Sequence, residues 1–169
     1  MPSESGKIYL PFSRTCFVCG DENHAGLHTR FYVENGDVKT RLTAREVHCG
    51  FKDVVHGGIV AAVLDETMGW AAARALERMC VTGELTVRYI LNVPNDREFT
   101  VSTRVQKSNR RLALTEGEIV DDEGTTYATA TAKFLPLSIE KTLEVDDGLV
   151  YLGGEERIFD QLRAAQNYT

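Results

Sequence analysis

HGGIVAAVLDETMGWAAARALERM, residues 56–79, is the stretch whose reading decides the fold. From Ile59 to Met79 it is rich in Ala, Leu, Met, Glu and Arg, residues of high helix propensity. Its first half is apolar almost all the way round, the pattern of a helix buried on every side rather than laid on a surface. Arg74, Glu77 and Arg78 make the last turns polar, and the cations complement the negative end of the helix dipole. One long buried helix is therefore predicted over residues 59–79, entered through His56-Gly57-Gly58.

The flanks read as strands. Before the helix, Leu27, Thr29, Phe31 and Val33 alternate with more polar neighbours, as do Val38, Thr40 and Leu42. Asn35-Gly36 between them is a hairpin-turn dipeptide, since both residues tolerate positive φ. Residues 45–58 form a connecting loop. After the helix, strands are predicted over 85–91, 99–105, 112–120 and 127–135, separated by turns at Val93-Pro94-Asn95-Asp96, Ser108-Asn109-Arg110 and Asp121-Asp122-Glu123-Gly124. A short helix over 157–166 ends the chain. Three regions follow: a leader over 1–26, a main domain over 27–136 and an extension over 137–169. One apolar helix followed by an antiparallel meander predicts an α+β fold with a sheet around the helix. Its exposed edge strands suggest pairing with a second copy.

Composition narrows the function. The 169 residues suit a single domain, and the net charge of −6 argues against a general nucleic-acid binder. An acidic protein binds a polyanion only through a local basic patch. No stretch approaches the roughly 18–20 apolar residues that a membrane helix needs. The polar start MPSESGKIYLPF has neither signal-peptide nor transit character, so a cytoplasmic protein without membrane association is expected. Its four cysteines are then expected as thiols.

Gly57 and Gly58 precede a helix, where free backbone N–H groups and partial positive charge face outward. Two glycines let a carbonyl or phosphate approach the backbone, and such a site stabilises a developing oxyanion. His56 stands at the mouth of the same turn. The plainer reading is a tight turn with a capping histidine. Asp65 shifts the balance. Its neighbours one turn away, Ala61, Ala62, Met68 and Gly69, are small or apolar, so its carboxylate emerges where burial needs compensation. Aspartate is also a poor mid-helix residue, and a local rule broken without visible gain points to a functional site. The alternative is that Asp65 and Glu66 form the wet side of the helix.

HGGIVAAVLDETMGWA followed by VTGELTVRYILNVP resembles the PaaI-like and THEM4-like acyl-CoA thioesterases of the hotdog superfamily, and CFVCGDENHAGLHTRF resembles a leader found in many bacterial members. The resemblance covers about residues 16–135. It implies a hotdog fold, a helix inside a curved antiparallel sheet, with subunits paired into a dimer or a tetramer. It implies hydrolysis of an acyl-CoA, with coenzyme A entering as part of the substrate and no separate cofactor. Asp65 would be the base or nucleophile, the N–H groups around Gly57 and Gly58 would hold the thioester oxygen, His56 would orient it, and Thr82 matches a Ser or Thr placed near the aspartate. Some relatives carry an amide side chain before the His-Gly-Gly; here Gly50 stands near that place, and His48 is a candidate substitute.

Lys107, Arg110 and Arg111 put three cations on one turn of an acidic chain and are the candidate contacts for the CoA phosphates, with Arg88 and Arg104 as others. The plain alternative is a solvated hairpin tip. Cys16-x-x-Cys19 followed by His24 and His28 comes close to a zinc-knuckle spacing. The favoured reading is that the two cysteines pack the leader against the sheet, with Phe17 as apolar anchor and no metal. Cys49 and Cys80 read as buried small apolar residues. Two rival functions remain: a non-catalytic acyl-CoA-binding protein, and a hydratase or dehydratase, against which counts the absence of His from residues 59–79. Gly58 and Asp65 lie roughly 10 Å apart along a helix rising 1.5 Å per residue. That separation predicts a site built from two subunits and hence an obligate dimer.

Overall fold

The computed structural model describes residues 6–166. Residues 1–5, part of the polar start read above, and residues 167–169 lie outside the described residues. In chain order the elements are β1 (Ile8–Tyr9), β2 (Phe31–Glu34), β3 (Asp37–Thr43), β4 (Cys49–Phe51), β5 (Val54–Val55), α1 (Gly57–Leu76), β6 (Cys80–Tyr89), β7 (Glu98–Asn109), β8 (Leu112–Val120), β9 (Thr126–Pro136), α2 (Ile139–Asp147) and α3 (Asp160–Gln166).

The decisive stretch forms α1, which packs against β3, β6, β7, β8 and β9. Val63, Leu64, Met68 and Ala72 on the helix are wholly buried, as are Leu42, Val101, Ala113 and Ile119 on the sheet. The expected all-round apolar character is what burial against five strands requires. The helix stops three residues sooner than predicted. Glu77 adopts a left-handed φ of 50° as its N–H bonds back to Ala73 O, and Arg78 N–H shares that acceptor at 3.3 Å. Residue 79 is claimed elsewhere: Met79 N–H donates to Thr142 Oγ1 at 3.2 Å and Met79 O accepts from Leu137 N–H at 2.7 Å.

Seven strands form one antiparallel sheet in the order β1-β2-β3-β7-β8-β9-β6. Asn35 and Gly36, both at positive φ, make the expected turn between β2 and β3. The strand predicted from Leu27 begins at Phe31 instead. Leu27 and Thr29 donate their N–H groups to Phe17 O and Val18 O, so they pair with the leader rather than with the sheet. β6 begins at Cys80, five residues before the predicted start, because Gly83 is an extra residue between the pairs Thr82↔Phe134 and Glu84↔Lys133. That β-bulge tolerates the glycine that reads in sequence as a break. Among the described residues β6 bonds to β9 alone, which leaves its other edge open, with Val81 and Tyr89 exposed along it.

Beyond the sheet, α2 is an addition to the predicted elements. Ser138 caps it by accepting from Lys141 N–H at 3.1 Å, and Thr142 on its buried side holds Met79. α3 ends where the expected terminal helix does but begins three residues later, at Asp160.

Candidate active site

Asp65 and Thr82 meet. α1 turns Asp65 toward the first residues of β6, and Thr82 Oγ1 donates to Asp65 Oδ1 at 2.8 Å. The bulge at Gly83 breaks the strict alternation of β6, so Thr82 is aimed independently of the regular strand beyond it. Asp65 is half-buried, and loss of water pushes its carboxyl above the ordinary aspartate range, with the Thr82 bond opposing that rise. The pair lines a cavity of about 220 Å³ whose other walls include Gly69, Trp70, Phe134 and Leu149. Trp70 lines the cavity, whereas Met68, one turn from Asp65, belongs wholly to the core.

The helix start forms a second feature. His56 is the N-cap of α1, and its Nδ1 accepts from Gly58 N–H at 2.9 Å. With Nδ1 as acceptor, a neutral His56 carries its proton on Nε2. The Gly58 N–H is thus engaged by the cap. Gly57, as the first helical residue, has no carbonyl one turn back within the helix for its own N–H. Tyr89 Oη donates to Gly57 O at 2.8 Å and lines, with Phe51, Val60 and Leu91, a cavity of about 370 Å³ beside the helix start. This cavity and the one at Asp65 share no lining residue. Within one chain the two halves of the expected site stay apart.

His48 does not take the place of a missing amide side chain. It is buried, its Nδ1 accepts from Arg45 N–H at 3.0 Å, and its Nε2 lies 3.1 Å from Ala25 O. It fastens the loop to the leader. Gly50, by contrast, lies against the His56 ring, where a Cβ would sit 3.1 Å from Cδ2.

Lys107, Arg110 and Arg111 are exposed at the β7–β8 tip. The row Ser108–Ala113–Phe134–Thr82 crosses neighbouring strands, so the tip stands about 14 Å from Thr82, three strand spacings along the sheet. Arg104 is committed to Glu116 by an ion pair; Arg88 borders a groove on the sheet.

Glu66 departs from the wet-side reading. It is partly buried and accepts from Cys16 Sγ at 2.9 Å and Cys19 Sγ at 3.1 Å. Burial above all pushes Glu66 up to about 8. The cysteines therefore face the helix, not the sheet, and Phe17 is exposed. The leader is anchored instead by Leu10, Phe12 and Val18 in the core and by Arg30 over the Phe12 ring at 3.6 Å. Sequence patterning passed over Glu66 because its partners lie 47 and 50 residues away.

The family model of the thioesterase superfamily matches residues 52–128, which hold His56, Gly57, Gly58, Asp65 and Thr82. This stretch of the chain is similar to the thioesterase superfamily. The mouse acyl-coenzyme A thioesterase THEM4 is 34% identical over 95 residues, 56% of this chain and 40% of that protein. The rat THEM4 is 32% identical over the same shares. The match thus spans less than half the length of these curated relatives. Among solved structures, the thioesterase superfamily protein RHA08564 is 25% identical with a TM-score of 0.65, over 72% of this chain and 63% of its own. A Bacillus halodurans protein solved with CoA is 28% identical with a TM-score of 0.54, over 59% and 66% respectively. The arrangement of α1 on the antiparallel sheet is the α+β hotdog fold of these superfamily proteins. No helix among the described residues is long and apolar enough to cross a membrane.

Proposed function

We propose that the protein hydrolyses an acyl-CoA thioester to the free acid and CoA. The observation that carries the proposal is the Asp65 carboxylate, half-buried in a largely apolar cavity and held by Thr82 through one oxygen only. The second oxygen is left to accept a proton from water or to attack the thioester carbon. In the first case water adds to the carbonyl carbon as its proton passes to Asp65. In the second a mixed anhydride forms on Asp65 and is then hydrolysed. In both, the C–S bond breaks and CoA leaves as a thiolate, a good leaving group that needs no strong acid. The oxyanion is held at the start of α1 by the Gly57 N–H and, once His56 turns aside, by that of Gly58. His56 stands beside that carbonyl.

Because the two halves lie apart on one chain, the working site takes its aspartate from one subunit and its helix start from another. The open edge of β6 is the seam we assign to that pairing. The homodimer, or a tetramer of two such pairs, is the active form. The protein acts in the cytoplasm and needs no cofactor for the chemistry.

Free-thiol release from a panel of acyl-CoAs tests the reaction. The cavity at Asp65 is smaller than the roughly 300–1,000 Å³ of pockets for drug-sized ligands. Short or aryl acyl groups are therefore expected to turn over faster than long chains. A panel that releases no thiol above the uncatalysed rate would leave acyl-CoA binding without catalysis as the reading.

Lys107, Arg110 and Arg111 are assigned to the CoA phosphates, as cations on the β7–β8 turn about 14 Å from Thr82. Replacing Arg110 and Arg111 with glutamine is expected to raise KM for acyl-CoA by about a hundredfold, given two charge-assisted contacts of about 1.5 kcal/mol each. KM for the matching acyl-pantetheine, which lacks the nucleotide, should stay unchanged. An equal rise for both substrates removes the assignment.

A further inference from the structure

The chemistry above leaves Glu66, Cys16 and Cys19 without a role. One ligand atom from each lies within 4.8 Å of the others, giving two sulfurs and a carboxylate oxygen that converge from the leader and from α1. The cysteine turn is built to present its sulfurs together. Val18 N–H donates to Cys16 Sγ at 3.3 Å, and Gly20 N–H closes the turn onto Cys16 O at 2.9 Å. A Cβ at residue 20 would meet the carbonyl oxygens of Arg14 and Cys16 at 2.5 Å, so the Cys-x-x-Cys turn needs its following glycine. An N–H aimed at sulfur favours thiolate over thiol.

Packing alone does not account for this cluster. Buried cysteines pack well as small apolar groups, and a carboxylate set between them adds a desolvation penalty with no gain in packing. Two sulfurs and a carboxylate oxygen converging within 4.8 Å supply three of the four ligands of a tetrahedral metal site. Two thiolates with one carboxylate suit zinc among the common divalent ions, whereas magnesium and calcium take oxygen ligands only.

We infer that Cys16, Cys19 and Glu66 bind one zinc ion. The three side chains also line the cavity that holds Asp65, so the fourth position falls to solvent from that cavity. Binding forms two Zn–S bonds and one Zn–O bond, and the thiol protons pass to solvent. The ion clips the leader to α1 at the residue next to Asp65. His24 and His28, which complete the knuckle spacing in sequence, stand outside the cluster; His28 Nε2 lies 2.6 Å from Asn23 O. The inference rests on this geometry and does not depend on the thioesterase reading.

Cobalt(II) titration of the reduced, chelator-stripped full chain tests it, followed by displacement with zinc. One cobalt per chain is expected, with sulfur-to-cobalt charge-transfer absorption and the intense visible bands of a tetrahedral site. Zinc should abolish both and raise Tm. Cys16→Ser with Cys19→Ser should lose the charge-transfer absorption. Glu66→Gln, nearly the same shape, should keep the metal-free Tm and circular dichroism yet weaken cobalt binding about tenfold or more. His24→Ala with His28→Ala should bind as the unaltered chain does. The inference is overturned if the intact chain shows no thiolate-cobalt band, or if Glu66→Gln binds cobalt as tightly as the parent. The glutamine variant carries the test even if the double serine variant does not fold.

Discussion

Asp65→Asn is expected to lower kcat on the best acyl-CoA by roughly 100- to 10,000-fold, the range associated with removing a positioned base. Asparagine has nearly the same size, and its amide oxygen still accepts from Thr82, so the side chain stays in place while losing the ability to take a proton or attack a carbonyl. Circular dichroism, Tm and KM should change little. Thr82 acts through Asp65, and its loss should be smaller. A hydrogen bond to a charged group is worth about 1.5–3 kcal/mol, so Thr82→Val should lower kcat by about tenfold to a hundredfold. In the Asp65→Asn background the same change should add almost nothing, because residues acting as a unit are not additive. Full activity in Asp65→Asn would remove Asp65 from the chemistry. Simple additivity of the two changes would show that Thr82 acts on something else.

The long helix was legible because its signal is local: a run rich in good helix formers, its first half apolar almost all the way round, admits few other placements. The turns at Asn35-Gly36 and at 121–124 were legible for the same reason. What the sequence concealed was set at long range. Gly83 reads as a break and proves to be a bulge whose partners lie in β9. Glu77 reads as helical, but residue 79 is held by α2, sixty residues on. Leu27 and Thr29 alternate like a strand, and they do pair, though with the leader. Asp65 stood out as a carboxylate on an apolar face, whereas its bond to Thr82 followed from family resemblance rather than from pattern. Glu66, one residue further, could not be separated from it, since only the fold shows that one faces β6 and the other the leader.

Two inactive variants are expected to restore activity to each other when their subunits are mixed. Asp65→Asn removes one half of the proposed site and Gly57→Val crowds the other, where even a Cβ would already stand 3.5 Å from the Tyr89 ring. If the aspartate of one subunit works with the helix start of its partner, a mixed dimer has one site carrying both changes and one carrying neither. Random assortment makes half the dimers mixed, each with one of two sites intact, so activity should recover to about a quarter of the unaltered level. Unmixed controls at the same total concentration should stay inactive, and differently tagged chains verify that exchange has occurred. A site contained within one chain predicts no recovery at any mixing ratio, because every chain then carries a damaged site. The cavities at Asp65 and at Gly57 share no wall, and roughly 10 Å of helix separates Asp65 from the Gly57-Gly58 pair. A thioester carbonyl is smaller than that gap, which is why the proposed site draws on two subunits, and the recovered quarter would measure the contribution of the second.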